Sequence, residues 1–444
     1  MSNSLLITNA LIVNEGQIRE ADLRVRDGRI DKIAAGIQAG ENDTVIDAAG
    51  AWLLPGMIDD QVHFREPGLT DKGDMATESA AAVAGGITSF MEMPNVRPPT
   101  TNIDALEDKY TRAAGRASAN YAFYLGASND NIEEIRRVEP GQACGIKVFM
   151  GASTGAMLVD DPRVLEHIFA DSPLLIATHC EDTPMILANE AQARQKYGED
   201  VPMSEHPLIR SEEACYKSSS LAVGLARKFG SRLHVLHLTT ARELELFAPG
   251  PVTDKRITAE VCVHHLFFDE GDYDRLGTRI KCNPAIKTAH DRESLLRAVA
   301  DDRIDVIATD HAPHTAAEKA SSYFQAPAGL PLVQHALLMT LELVHAGHFS
   351  IEHAVRKTSH SVADLFGVRE RGYIREGWFA DLVLVDPDKG CTVNQADTLY
   401  KCGWSPLEGY EFRSSVRATL VNGQLVWRDG QLTGAVAGQR LAFG

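Results

Sequence analysis

A lysine stands inside an unbroken apolar run, Gly145-Ile146-Lys147-Val148-Phe149-Met150. An ammonium buried there costs several kcal/mol unless it loses its proton or gains a partner. The neutral amine that burial favours can take up carbon dioxide as a carbamate, an anion able to bridge two metal ions; a pair with an acid such as Glu181 is the other reading of the same residue. Imidazoles and a carboxylate occupy comparable places. His179 closes the run Leu174 to Thr178, His237 closes Leu233 to Leu236, and Asp310 closes Ile304 to Thr309. In Met57 to Arg65, a period of two puts Asp59, Gln61, His63 and Arg65 on one face. A single histidine at a strand end is usually structural, but this repeated coincidence points to ligands that converge.

Convergence needs a scaffold that gathers strand ends. Candidate strands end at His63, Met93, Leu125, Met150, His179, His237, Val263 and Asp310, and helix-compatible segments lie between them at 74–85, 103–116, 130–138, 161–170, 211–229, 241–247 and 290–300. Eight strands alternating with helices predict an α/β protein built on a (β/α)8 TIM-type barrel, in which strand-end side chains meet at the C-terminal mouth. The two chain ends differ in style. Short alternating runs at 5–13, 21–25, 30–33, 44–46, 382–385, 415–421 and 424–427 read as strands, with hairpin turns at Asp27-Gly28 and Asn422-Gly423. The expected division is a small β-sandwich domain from residues 1–55 and 375–444 around a barrel of residues 56–374. A dinucleotide fingerprint and a phosphate loop are both missing; Gly85-Gly86 reads as a helix end.

Composition narrows the partners. Against 44 Lys+Arg stand 61 Asp+Glu, a net charge of −17, which excludes nucleic acid as the natural ligand. A hydrophobic content of 44% with 24% charged residues suits a large folded core. The N-terminus has no basic residue ahead of its apolar run and reads as a strand, not a signal peptide. No segment approaches the roughly 18 apolar residues of a membrane span. Seven scattered cysteines without a CxxC pair indicate reduced thiols and a cytoplasmic setting. Cys180, Cys215 and Cys262 read as packing residues, His290, His335, His345, His348, His353 and His360 as solvated or capping ones, and Arg210 as a helix-start salt bridge.

Taken together, Pro55-Gly56-Met57-Ile58-Asp59-x-Gln61-x-His63-x-Arg65-Glu66-Pro67-Gly68, Met93-Pro94-Asn95, Ile146-Lys147-Val148-Phe149-Met150, Thr178-His179-Cys180-Glu181, Leu236-His237-Leu238, Thr309-Asp310-His311-Ala312-Pro313-His314 and Ala380-Asp381-Leu382-Val383 resemble the amidohydrolase superfamily and, within it, the dihydroorotase branch. The resemblance implies a binuclear, usually zinc, centre and the reversible cyclisation of N-carbamoyl-L-aspartate to L-dihydroorotate plus water. It implies that His63 and Asp310 hold one metal, carboxylated Lys147 the bridge, and His179 and His237 the second, with Asp310 also moving the catalytic proton. Metal lowers the pKa of bound water to about 7. Arg65, Asn95 and His314 would hold the substrate carboxylate, with Asn283 and the backbone near Ala328-Gly329 on the ring. Asp59 is the expected support for the imidazoles, and the pair His264-His265 a further one. Family members are commonly dimers. One position departs from the pattern: Gln61 stands where the superfamily's first strand carries a histidine, so one or two zinc ions per subunit are expected, the site at Gln61 being the weaker. Two other readings stay open, a hydantoinase- or allantoinase-like cyclic amidase and a non-catalytic scaffold.

Overall fold

Alternation of side chains along the first and last strands explains why both ends of the chain enter one sheet. The computed structural model describes residues 4–151 and 157–444. At the N-terminus lie β1 (Ser4–Asn14), β2 (Gln17–Arg26), β3 (Arg29–Ala34), β4 (Asp43–Asp47) and β5 (Trp52–Pro55). The barrel strands are β6 (Met57–Val62), β7 (Ile87–Glu92), β8 (Asn120–Phe123), β9 (Leu125–Gly126), β10 (Ile146–Phe149), β11 (Ile176–His179), β12 (Leu233–Val235), β13 (Ile257–Cys262) and β14 (Val306–Ala308). The C-terminal part adds β15 (Leu382–Asp386), β16 (Cys391–Thr392), β17 (Glu411–Phe412), β18 (Ser415–Val421), β19 (Gln424–Arg428) and β20 (Gln431–Leu432).

The terminal sheet runs β20-β19-β18-β15-β5-β1-β2-β3, with β4 added on β1, so the antiparallel pairing of β5 with β15 joins the two ends. Leu53, Leu382 and Leu384 point into a core shared with Ile7, Leu23 and Leu420, while Leu54, Val383 and Val385 face the barrel core. That is the period of two at work on a sheet buried on both faces. Both expected hairpins occur, Asp27-Gly28 with φ of 50° and 83° and Asn422-Gly423 with 51° and 72°. Left-handed φ at both central residues is what a two-residue type I′ turn requires.

The barrel strands pair only in parallel. β8 and β9 are one strand broken at Tyr124, which makes eight, and the ring closes where Val62 bridges His311 and the His63 amide donates to the His311 carbonyl at 2.7 Å. This is the expected (β/α)8 architecture. Helices begin at side-chain caps, Asp74 before Met75–Ala84, Asp161 before Pro162–Asp171 and Thr288 before Ala289–Ala300. The segment expected as a helix at 241–247 is instead a 3-10 turn, Arg242–Leu246. Two helices, Thr183–Tyr197 and Ala336–His345, were not anticipated. The first buries only Ile186 and Ala193, too little for an apolar stripe, and the second is buried almost all round. His335 and His360 are buried rather than solvated: Tyr400 Oη lies 3.1 Å from one, and the other donates to the Gly372 carbonyl and stacks on Tyr373. All seven cysteines are unpaired, and among the described residues no helix is long and apolar enough to cross a membrane.

Where the chain leaves the barrel for the terminal sheet, Asp381 is buried in an ion pair with Arg371 and accepts from Asn120 Nδ2 at 3.0 Å and the Asn422 amide at 2.7 Å. Asp381→Ala would strand the guanidinium, a loss of about 3–5 kcal/mol, whereas removing both charges together costs far less. Urea unfolding of Asp381→Ala and of Arg371→Met/Asp381→Leu measures this. A single-variant loss below about 1 kcal/mol, the value of an exposed pair, would rule out the buried ion pair as the joint.

Candidate metal and substrate site

The strand-end residues meet in a cavity of about 300 Å³ at the C-terminal mouth of the barrel, which Gln61, His63, Lys147, His179, His237 and Asp310 all line. Arg65, Asn95, Asn283, His314 and the backbone at Ala328-Gly329 complete the wall. Three of these side chains leave the strands at left-handed backbone, Arg65 with φ 71°, His237 with 41° and Asp310 with 50°. Such conformations cost about 1–3 kcal/mol each in a non-glycine residue and gather at functional sites.

Lys147 is fully buried, and among the described residues its Nζ has no hydrogen-bond partner. Burial brings its pKa down to about 8, although the nearby Asp310 and Glu260 carboxylates oppose the fall. Glu181, the acid considered as its partner, is engaged elsewhere: it accepts from His179 Nε2 at 2.9 Å and pairs with Arg210. Burial would raise Glu181, but Arg210 and His179 outweigh it and hold the carboxyl at about 2. With its proton fixed on Nε2, His179 turns the lone pair of Nδ1 toward His237 Nε2, 3.0 Å away. Burial keeps His237 well below the ordinary imidazole range, so its ring is neutral. Two ring nitrogens at that spacing can both lie about 2.1 Å from one zinc ion.

Opposite them, His63 donates from Nδ1 to Asn95 Oδ1 at 2.8 Å and brings Nε2 to 3.0 Å from Asp310 Oδ1. Burial lowers the His63 pKa, with Asp310 working against it. Gln61 donates its amide to the same Asp310 oxygen at 3.2 Å, and its carbonyl faces Cys262 Sγ at 3.7 Å. The side chain in the histidine's usual place therefore serves Asp310 as a hydrogen-bond donor. Asp59 does not reach an imidazole. Its carboxylate accepts from the Thr309 hydroxyl at 2.6 Å and the Thr309 amide at 3.2 Å, which ties β6 to the strand carrying Asp310.

Arg65 is buried, donates from Nε to the Pro313 carbonyl at 3.1 Å and has Nη2 3.0 Å from His314 Nε2; among the described residues it meets no carboxylate. Its neighbour Glu66 is paired with Arg116. Burial moves the guanidinium down to about 10. Burial, Arg65 and Lys72 together push His314 far below its usual range, so the ring is neutral. Asn283 Oδ1 is buried and unpartnered. Lys319, brought down to about 7 by burial, donates to the carbonyls of Pro327 and Gly329 at 2.9 Å, and Lys281 donates to that of Ala326 at 2.8 Å, which pins the loop wall from beneath.

Sequence reading missed Glu181 as the partner of His179, Arg210 as part of the wall, and the two loop-holding lysines. It also gave no role to Asp60, His234 and Glu260, while it read Cys262 as packing and His264-His265 as support. Among the described residues, Cys262, His264 and His265 form one close group and Asp60, His234 and Glu260 another. The rule that singled out Lys147, a charge inside an apolar strand, applies equally to Leu233-His234-Val235 and Ala259-Glu260-Val261.

Known proteins resemble this chain over nearly its whole length. A dihydroorotase of Halobacterium salinarum is 35% identical over 426 residues, 95% of this chain and 97% of that one. An allantoinase of Bacillus velezensis is 30% identical over 437 residues, 97% and 95% of the two chains. The solved structure of an L-hydantoinase (dihydropyrimidinase) from Arthrobacter aurescens superposes with a TM-score of 0.92 at 27% identity, covering 99% of each chain. The pattern of the Amidohydrolase family matches residues 52–426, from the strand that joins the two ends to the last hairpin. Agreement in sequence on that scale means that the chain belongs to the amidohydrolase family.

Proposed function

We propose that this enzyme is a zinc-dependent dihydroorotase that interconverts L-dihydroorotate plus water and N-carbamoyl-L-aspartate. The observation that carries the reading is Arg65, a buried guanidinium beside His63 and Asp310 that meets no carboxylate among the described residues. A buried cation demands an anion, and dihydroorotate brings a carboxylate that hydantoin and dihydrouracil lack. Relatives bearing the dihydroorotase name at 30–35% identity support the same choice.

The donor set fits a metal centre. Among the described residues Lys147 Nζ and His237 Nδ1 are buried without hydrogen-bond partners, and His179 Nδ1 and His237 Nε2 face one another at 3.0 Å. Lys147 as its carbamate, His179 and His237 would hold one ion, and the Lys147 carbamate with His63 and Asp310 a second. Zinc bound there supplies Lewis acidity to water and to the amide carbonyl. Asp310 moves the proton: Oδ1 is taken by Gln61 and His63, and Oδ2 receives a proton from the attacking water and delivers it to the ring nitrogen as the amide bond breaks. Arg65 clamps the carboxylate in two-point fashion. Asn95, whose oxygen is held by His63, turns its amide N–H to the same group, and Asn283 with the backbone at Ala328-Gly329 orients the ring.

The deciding experiment is hydrolysis of dihydroorotate by purified protein of measured zinc content, with hydantoin and allantoin in competition. Turnover selective for dihydroorotate is expected. Preference for an uncarboxylated ring would favour the hydantoinase or allantoinase reading, and no turnover at full zinc occupancy would favour a scaffold in which Gln61 has disabled the site. A smaller effect follows from the Glu181–Arg210 pair. Arg210→Met should weaken zinc binding about 10- to 100-fold by releasing the carboxylate that orients His179; chelator competition measures it, and unchanged affinity would exclude the support role.

A further inference from the structure

Below the cavity, inside the barrel, Asp60 of β6, His234 of β12 and Glu260 of β13 come together, all with zero exposure. Their ligand atoms lie within 4.8 Å of one another. His234 Nε2 is 3.2 Å from Asp60 Oδ2 and 3.7 Å from Glu260 Oε2. Yet both Asp60 oxygens, Glu260 Oε2 and His234 Nε2 lack any partner along a hydrogen-bonding direction. Four donor atoms thus face one small space without satisfying each other.

The neighbours fix how they present themselves. The Thr258 hydroxyl gives its one proton to the Leu233 carbonyl at 3.2 Å, so it must accept from His234 Nδ1 at 2.8 Å. One ring proton is therefore on Nδ1, and Nε2 faces the carboxylates; although burial opposes it, Asp60 and Glu260 raise the ring to about 9, so a proton occupies Nε2 until a cation displaces it and leaves the imidazole held as a metal ligand. Glu260 is anchored by its other oxygen, which accepts the His237 amide at 3.0 Å, and Tyr124 Oη donates to the Asp60 carbonyl at 3.0 Å. Ile58, Leu236 and Val306 share the surrounding apolar cluster, and Phe366 meets His234 edge-on at 6.1 Å. Two carboxylates in such a place require positive charge between them.

We propose that Asp60, His234 and Glu260 form a binding site for a first-row divalent cation, zinc foremost, separate from the cavity centre. One imidazole nitrogen and three carboxylate oxygens, with Asp60 supplying two, make a four-donor set that suits zinc or manganese. The ion would link three strands from within the barrel and, through Glu260, hold the backbone of His237. Because the ligands come from β6, β12 and β13, it acts on the scaffold and touches no substrate.

Anomalous diffraction from crystals of the unaltered protein grown with zinc tests this without any substitution. A peak between Asp60, His234 and Glu260 is expected, distinct from any peak beside Lys147. A peak at the triad with none at Lys147 would support this site while sinking the metal assignment of the proposed function. The absence of a triad peak, with or without density at Lys147, would overturn the proposal and leave a proton shared among the three groups as the occupant. As a second measurement, Asp60→Asn should carry about one metal equivalent less than the parent and melt at lower temperature, its melting no longer responding to chelator. Unchanged metal content in folded Asp60→Asn overturns the proposal equally.

Discussion

Lys147→Ala is expected to lose more than about 100-fold in kcat/KM, since even an outer residue that merely orients a ligand is worth 10- to 100-fold in metal affinity. Metal content should fall in parallel. The substitution also removes the side chain from a fully buried position and leaves a space lined by the same imidazoles. A short carboxylic acid such as acetate or propionate can occupy that space and supply the missing oxygens, so partial recovery of activity with added carboxylate is expected for Lys147→Ala and not for Lys147→Arg. Burial has already brought the amine to about 8. Its neutral fraction therefore grows as pH rises through that value, and at a fixed concentration of dissolved carbon dioxide, reactivation of carbon-dioxide-stripped protein should quicken from pH 7 to pH 9. A pH-independent reactivation, or full zinc content in Lys147→Ala, would remove the carbamate from the mechanism.

The second large effect belongs to Arg65. Arg65→Met takes away the buried guanidinium proposed to meet the substrate carboxylate; leaving a buried charge unpaired costs about 3–5 kcal/mol. At about 1.4 kcal/mol per factor of ten, kcat/KM for dihydroorotate should drop between about 100- and 4,000-fold. Activity on hydantoin, which has no carboxylate, should change little, and the selectivity between the two rings should therefore collapse. Arg65→Lys, which keeps the charge but not the planar fork, should fall between. Equal losses on both rings would mean that Arg65 shapes the pocket through Pro313 and His314 rather than binding an anion.

What the sequence made legible was whatever depends on periodicity and on charge placed in an apolar run. The barrel followed from eight β-branched stretches, and the candidate site from the polar residues that end four of them and from Lys147 inside a fifth, because strand direction alone sends those side chains to one mouth. The β13 strand already illustrates the limit. Glu260 is a charge inside an apolar run like Lys147, but its partners are invisible until the fold closes β6 and β12 around it and brings Asp60 and His234 into range. Asp59 was assigned to an imidazole on the strength of its position in the strand, yet the bulged pairing of β6 with β7 changes which neighbours it meets, and it ends on Thr309. Arg210 and Glu181 are 29 residues apart, and only the packing of intervening helices makes them a pair. His335 and His360 were misplaced for the same reason: their burial is conferred by Tyr400 and Tyr373, from segments that carry no periodic signal.

The bridge between Val62 and His311 that closes the barrel bears on how the chain acquires its activity as it is made. His179 and His237 lie 58 residues apart and can meet once β10 to β12 have formed. His63 waits for Asp310, 247 residues further along. The first strands synthesised wait longer still, since β5 finds β15 only when residue 382 has emerged. Chain growth from the N-terminus thus leaves β5 exposed as an edge through most of translation, the stage at which unpaired strands are prone to associate wrongly. A nascent chain released before β14 would possess one half of the cavity, with the metal-type donors of the middle strands and without the proton carrier. The last metal-type donor of the cavity, Asp310, thus emerges before the strand that covers the open edge of β5.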